Sequence, residues 1–569
     1  MSPSLQRLVT GTANVIRRFP LALCFAFIGT CAATILVEVE NVNQSVSNWC
    51  VRLLMISNLG LLLSLSFTLF SEFQQKKKLA RYLLFSFAVL VPTVLLFTLN
   101  PLERETDFLR FFMIAVGFHL LVAFFPFLQA KQSIGAFWRF NEILFVRFLT
   151  GVLYSAVLFL GLAAAIGSMN FLFNFDFQWD TFAILWIWIV GMFNTGFVLS
   201  GIPKTIDDLE KDSSYPKGLK IFTQYVLIPL ATVYVLILLV YELKILLEWN
   251  MPKGLVSSLI LGYAVFGILS LLLVYPIRNL EENKWIKSYT RSFYFLMIPL
   301  IVLLILAIVA RVSDYGITEE RYFLIVLAGW LTFITAYFLL SKKQNIVLIP
   351  LSLCVVVLLS VYGPQSAFSV SRKSQLSELK ALFADYKAVR QGKLERLKVK
   401  VDSADRARME NIVNYLVNDH GIESLQPLFK NNLAHVADSI LTKVKTEKTW
   451  GQSYSRYSLR EHQRNWVYAT LAIPVSDFSK SRVGIVRRVN VENEELVPVA
   501  NADYLIEMSW YQSDTSQILI EPRKKLKYGF EADHLDLHLG KERSKVDLSP
   551  MLERVKKEMQ KRDAEKTEL

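Results

Sequence analysis

Arg17-Arg18-Phe19-Pro20-Leu21-Ala22-Leu23-Cys24-Phe25-Ala26-Phe27-Ile28-Gly29-Thr30-Cys31-Ala32-Ala33-Thr34-Ile35-Leu36-Val37 opens on two cations and then carries no charge from Pro20 to Val37. A helix needs ~20 apolar residues to cross ~30 Å of hydrocarbon. The run therefore reads as a first transmembrane helix. A cationic start before an apolar stretch also fits a secretory leader. No small-x-small site stands near its end, and Ile28-Gly29-Thr30-Cys31 is a poor lipoprotein cleavage box, so an uncleaved helix is the better reading.

The same pattern repeats down the chain. Apolar runs fall at 51–70, 82–99, 108–128, 148–172, 180–202, 221–241, 255–275, 293–310, 322–340 and 346–362. With the first, these predict about eleven transmembrane helices over residues 1–362. The 569 residues are 53% hydrophobic, too apolar for a soluble chain of this size. The segment Ile134–Arg147 reads as re-entrant or interfacial, and 346–362 is short for a span.

Cytoplasmic loops carry the excess of Lys and Arg. With a cytoplasmic N-terminus, 20 Lys and Arg up to Tyr362 fall inside, among them Lys76–Lys78, Arg139, Arg147, Lys204, Arg278, Lys342 and Lys343. Only 7 fall outside: Arg52, Arg104, Arg110, Lys244, Lys253, Arg311 and Arg321. Eleven crossings then put residues 363–569 outside, which in a two-membrane bacterium means an inner-membrane protein with a periplasmic C-terminal domain. The formal net charge of +13 is spread between the two parts and follows topology, so nucleic acid is not an expected partner. The four cysteines all lie in or beside apolar runs, so the last third cannot depend on disulfides.

After Gly363-Pro364 the composition becomes that of a soluble domain. Helices are expected at Ser374–Val389, from Ser403 or Asp405 to His420-Gly421, and at Ile422–Val444. Trp466–Ile473, Val483–Val491, Asp503–Gln512 and Gln517–Pro522 are rich in branched and aromatic residues and read as strands. Pro550–Leu569 reads as a charged helix. The fold class is thus a polytopic α-helical membrane protein followed by a soluble α+β domain.

No P-loop, dinucleotide fingerprint, HExxH or GxSxG occurs, and no cofactor is implied. Several groups still suit binding. His119 lies midway through the fourth span and suits a proton relay or polar ligand, or a bond to a neighbouring helix. Trp138, Arg139, Asn141, Glu142 and Arg147 mix aromatic and charged types at a membrane boundary, which suits lipid headgroups or simple anchoring. Arg139 and Glu142 are i,i+3 and can pair. Asn194, between Gly191 and Gly201-Ile202-Pro203, suits either close helix packing or a break lining a cavity. Thr318, Glu319 and Arg321 read as a helix start with a cap and favourable charge, or as an outward polar site. His534, Asp536 and His538 alternate, so on a strand they share a face and could ligate zinc or iron. Only one short segment supplies those ligands, which also describes a plain surface strand.

Phe137-Trp-Arg-Phe-Asn-Glu-Ile-Leu-Phe-Val-Arg-Phe-Leu-Thr150, Gly191-Met-Phe-Asn-Thr195, Gly201-Ile-Pro-Lys204, Tyr215-Pro-Lys-Gly-Leu-Lys220, Gly316-Ile-Thr-Glu-Glu-Arg-Tyr322 and Tyr362-Gly-Pro364 stand in this order. Together they resemble the family catalogued as domain of unknown function 4153, from about Phe137 to about Gly421. The resemblance implies bacterial multi-pass membrane proteins and brings no activity or ligand residues with it. Two functions follow as expectations. One is a non-enzymatic envelope protein whose spans anchor an outer-side domain that meets envelope protein partners or membrane lipid. The other is a transporter or lipid translocator with a cavity at His119 or Asn194.

Overall fold

The computed structural model describes residues 3–474 except 39–43, 103, 129–133, 212–214, 249–254, 342 and 447–455, together with four strands between 516 and 547 and Ser549. The chain forms two compact units, Met1–Arg482 and Val483–Leu569.

In the first unit, α1 (Pro3–Arg18) precedes a set of long apolar helices. These are α2 (Pro20–Glu38), α3 (Gln44–Phe73), α4 (Lys78–Thr98), α5 (Glu105–Phe124) and α6 (Ile134–Phe173), then α7 (Trp179–Ser200) and α8 (Lys217–Ile245). They continue as α9 (Leu255–Val274), α10 (Trp285–Tyr315) and α11 (Glu319–Leu340). Among the described residues, 10 helices are long and apolar enough to cross a membrane. Large side chains such as Phe87, Leu160, Phe171 and Val240 stand exposed along them, as expected where lipid replaces water. Two of them are locally underwound into wider π-turns, at Ile189–Asn194 in α7 and Thr223–Leu227 in α8.

Two expectations change here. Ile134–Arg147 is not a separate re-entrant piece: it is the start of the 40-residue α6. No proline or glycine pair interrupts the join at Arg147, so nothing ends the helix there. The eleventh run contracts to α12 (Leu348–Leu359), whose 12 residues rise only ~18 Å as a helix. Turns flank it on both sides, at 346–347 and 360–366. The Asn345 amide donates to the Tyr337 hydroxyl at 3.0 Å, Trp330 Nε1 to Ser352 Oγ at 3.0 Å, and the Tyr322 hydroxyl to Gln365 O at 2.6 Å. These three pairs run antiparallel along the whole of α11. Residue 365 therefore returns to the end of α11 from which residue 322 starts.

The chain then builds a polar helical layer with its own core. It comprises α13 (Ala367–Asp385), a short hairpin of β1 (Val389–Arg390) and β2 (Lys393–Leu394), α14 (Ser403–His420), a 3₁₀ segment Ile422–Leu428, α15 (Leu433–Thr446) and α16 (Arg456–Leu471). Ser366 and Asp402 cap α13 and α14 through their side chains. Met409, Ile412, Val413, Leu416 and Val417 form a helical stripe on α14. They pack with Leu379, Phe383, Leu425 and Leu433 into a core separate from that of the spans.

The first expected helix thus begins earlier, at Ala367, and the third divides into a 3₁₀ segment and α15. Trp466–Ile473 is not a strand but the end of α16. A short apolar run does not by itself distinguish helix from strand, and the long-range fit decides. Arg464 and Tyr468, one turn apart, donate to Asn418 Oδ1 and Asn414 Oδ1, one turn apart on α14, both at 2.8 Å. Burial raises the Tyr468 hydroxyl to about 12.

In the second unit, β3 (Ser516–Glu521), β4 (Lys524–Phe530), β5 (His534–Leu539) and β6 (Glu542–Asp547) form an antiparallel meander in sequence order. Gln517–Pro522 and His534–Leu539 correspond to β3 and β5. The expected elements at Val483–Val491, Asp503–Gln512 and Pro550–Leu569 lie outside the described residues.

Candidate functional site

Gly316-Ile-Thr-Glu-Glu-Arg-Tyr322 forms the corner between α10 and α11. Gly316 takes φ +67°, a conformation that a side chain disfavours, and this turns the chain back on itself. Thr318 holds the N-cap position, yet its side chain caps nothing. Arg321 closes the corner instead, donating to Tyr315 O at 3.0 Å and Gly316 O at 2.7 Å. From α13, Gln375 Nε2 donates to Tyr315 O at 2.9 Å, and Ser374 Oγ accepts from the Ile317 amide at 2.9 Å.

Glu319 does more than complement a helix start. It is buried, and its carboxylate gathers three side chains of the polar layer. Ser371 Oγ donates to Oε1 at 2.7 Å, the Tyr415 hydroxyl donates to Oε2, and His420 Nε2 lies 2.9 Å from Oε1. His420 Nε2 is also 3.2 Å from the Tyr415 hydroxyl. Burial, and then the Glu319 carboxylate, push the Tyr415 hydroxyl well above its ordinary value. Glu319 sits at the N-terminus of α11 and His420 at the C-terminus of α14, so each helix end favours the charge its residue can carry. With both oxygens engaged, the carboxylate ties α11 to α13 and α14.

A second tie joins α5 to the same layer. Asp107, fully buried, pairs with Arg104 at 2.8 Å and Arg110 at 2.5 Å, and accepts from the Asn100 amide at 2.9 Å. The Arg110 guanidinium lies over the Phe368 ring of α13, 4.2 Å from its centroid.

At the other end of the spans, the residues of 137–147 come together with distant partners. Trp138 Nε1 donates to Leu272 O at 2.7 Å, and its ring stacks on Tyr215 at 5.5 Å. Arg139 pairs with Glu142 at 2.9 Å, the expected i,i+3 contact. Asn141 Nδ2 donates to Ala123 O and Phe137 O. Burial first, with the nearby Glu142 adding to it, pushes the Tyr215 hydroxyl up to about 12. Arg18 clamps the neighbouring corner, pairing with Glu72 at 2.8 Å and donating to Ile202 O and Pro203 O, each at 2.6 Å. Arg147 lies over Phe197, 5.5 Å from the ring centroid, against Gly201.

The two residues put forward for a mid-membrane cavity are placed otherwise. His119 is exposed, and its Nδ1 lies 2.8 Å from Ala115 O of its own helix. Asn194 closes the π-turn of α7 with its side chain pressed on Gly151, where any Cβ would overlap it. His534, Asp536 and His538 occupy alternate positions of β5, opposite Asp547, Lys545 and Arg543 of β6. Among the described residues no cluster of His, Cys, Asp or Glu could hold a metal.

Sequence reasoning missed Ser371, Tyr415, His420, Asp107 and Arg18. His420 carried a signal only as the residue before the helix-ending Gly421. Ser371, Tyr415 and Arg18 are common types whose partners lie far along the chain, whereas Asp107 had its signal close by, in Arg104 and Arg110 three residues to either side.

The family model described as Domain of unknown function (DUF4153) matches residues 22–394. The match therefore takes in the first spans, beyond the region where the motifs were clearest. An uncharacterized protein of Pasteurella multocida is 23% identical over 379 residues, which is 66% of this chain and 60% of that protein. The chain thus matches less than two thirds of that relative's length. No solved structure matches.

Proposed function

The chain belongs to the DUF4153 family, and on that premise we propose a non-enzymatic, inner-membrane protein that holds its polar helical layer on the outer side for recognition of envelope partners. The Glu319 tie carries this reading. Four side chains from α11, α13 and α14 meet there, so the layer follows the spans as one body. The antiparallel return along α11 supports the outer side without counting helices. It brings residue 365 beside Tyr322, among the cation-poor segments that hold Arg104, Arg110, Arg311 and Arg321. The strands of the second unit would share that compartment.

His119 lies against its own helix and Asn194 against Gly151, which does not favour a transporter over this reading.

A reporter that is active only outside the cytoplasm, fused after Leu569, is expected to be active. A fusion after Lys343 is expected to be silent. The reverse pattern would overturn the sidedness. In-cell crosslinking followed by purification is expected to recover an envelope protein through residues 367–471, and recovery of background alone would overturn the recognition role.

A further inference from the structure

Three arginines stand near the corner that follows α7, and two of them pair with carboxylates. Arg18 has Glu72 and two carbonyls, and Arg139 has Glu142. Arg147 differs. It is half-buried, and among the described residues no carboxylate or carbonyl accepts from it. Its guanidinium carries five N–H donors, which are costly to leave unmatched at a membrane boundary.

The protein nevertheless holds this side chain in one place. One face lies over Phe197. The other side fits against Gly201, where an added Cβ would come within 2.6 Å of Cζ. The slot exists only because residue 201 has no side chain. The surroundings are those of a lipid contact. Phe145 and Phe148, flanking Arg147, are 45% and 53% exposed. Tyr154 lies two helical turns further along α6, ~10 Å away, and packs edge-on to Phe197, which in turn stacks on Phe193. An aromatic row therefore runs from the guanidinium along α6 and α7. Lys204, exposed, follows Gly201 on the same corner and adds a second cation.

We propose that Arg147, set in the Gly201–Phe197 slot, binds the phosphodiester of an anionic membrane phospholipid, whose acyl chain lies along Tyr154 and Phe193. The planar guanidinium suits two-point contact with phosphate oxygens. The site lies at the opposite end of the spans from the Glu319 tie and stands independently of the outer-side reading.

The test uses the full chain, purified in mild detergent. Native mass spectrometry is expected to show retained phosphatidylglycerol on the wild type, several-fold less on Arg147→Gln, intermediate retention on Arg147→Lys, and wild-type retention on Arg81→Gln, another exposed boundary cation. A phosphatidylglycerol carrying a photoreactive group beside its headgroup, added to the wild type, is expected to label the segments 140–150 and 193–204. Millimolar inorganic phosphate should leave that labelling unchanged. Equal retention by Arg147→Gln and Arg81→Gln would overturn the proposal, as would labelling confined to other segments. Protection by inorganic phosphate would make the site one for free phosphate and overturn the lipid assignment. The wild-type labelling decides the matter even if a variant fails to fold.

Discussion

Glu319→Ala is expected to weaken the attachment of the polar helical layer by about 3–5 kcal/mol, the usual cost of removing one partner of a buried ionic group. The cause is what the substitution leaves behind. Tyr415 and His420 lose the carboxylate they bond, while Ser371 keeps Ala367 O at 2.6 Å as an acceptor. Each unsatisfied buried donor costs ~1–3 kcal/mol. Glu319→Gln keeps the shape and one acceptor, so a smaller loss is expected. Glu320, exposed on the same turn, is the control, and Glu320→Ala should change little. Amide hydrogen exchange in detergent reads the effect directly: protection over 367–385 and 403–420 should fall in Glu319→Ala and persist in Glu320→Ala. Identical exchange in the two variants would show that the tie does not hold the layer.

What was legible in the sequence follows from the range of each signal. The spans are continuous apolar runs, so their existence and approximate limits are local properties, and the structure keeps them. The Arg139–Glu142 pair is equally local. The failures are those of long range. Trp138 meets Leu272 and Tyr215, and nothing in 137–147 names those partners. Glu319 was visible as an acid at a helix start, a position that explains itself and so conceals a second role. Its partners lie 52, 96 and 101 residues further on, in helices read only for their apolar stripes.

The same reasoning explains the strand expected at Trp466–Ile473. Its apolar residues fit either period, and the choice is made by Asn414 and Asn418 on another helix. The short α12 shows the converse. Its length alone suggests that it does not cross, whereas the bonds of Asn345, Ser352 and Gln365 to Tyr337, Trp330 and Tyr322 show the chain running along α11.

Asp107→Asn should be as damaging as the loss of Glu319, although it changes one heavy atom. The carboxylate is fully buried and accepts from Arg104, Arg110 and the Asn100 amide. An amide of the same shape offers one oxygen in place of two and turns an NH₂ toward a donor. It also leaves two guanidinium groups without their counter-charge, one of them only 23% exposed. A loss of about 3–5 kcal/mol is expected, read as a lower apparent unfolding temperature and less protein recovered from membranes. Arg110 is the member that reaches the polar layer, through Phe368. Arg110→Met alone removes one buried cation and the ring contact, and should cost less than Asp107→Asn. Combined with Asp107→Asn it should recover part of the loss, because a cation with no anion is then no longer buried. Strict additivity of the two substitutions would contradict the pairing, since it would mean that Arg110 is indifferent to the charge at Asp107.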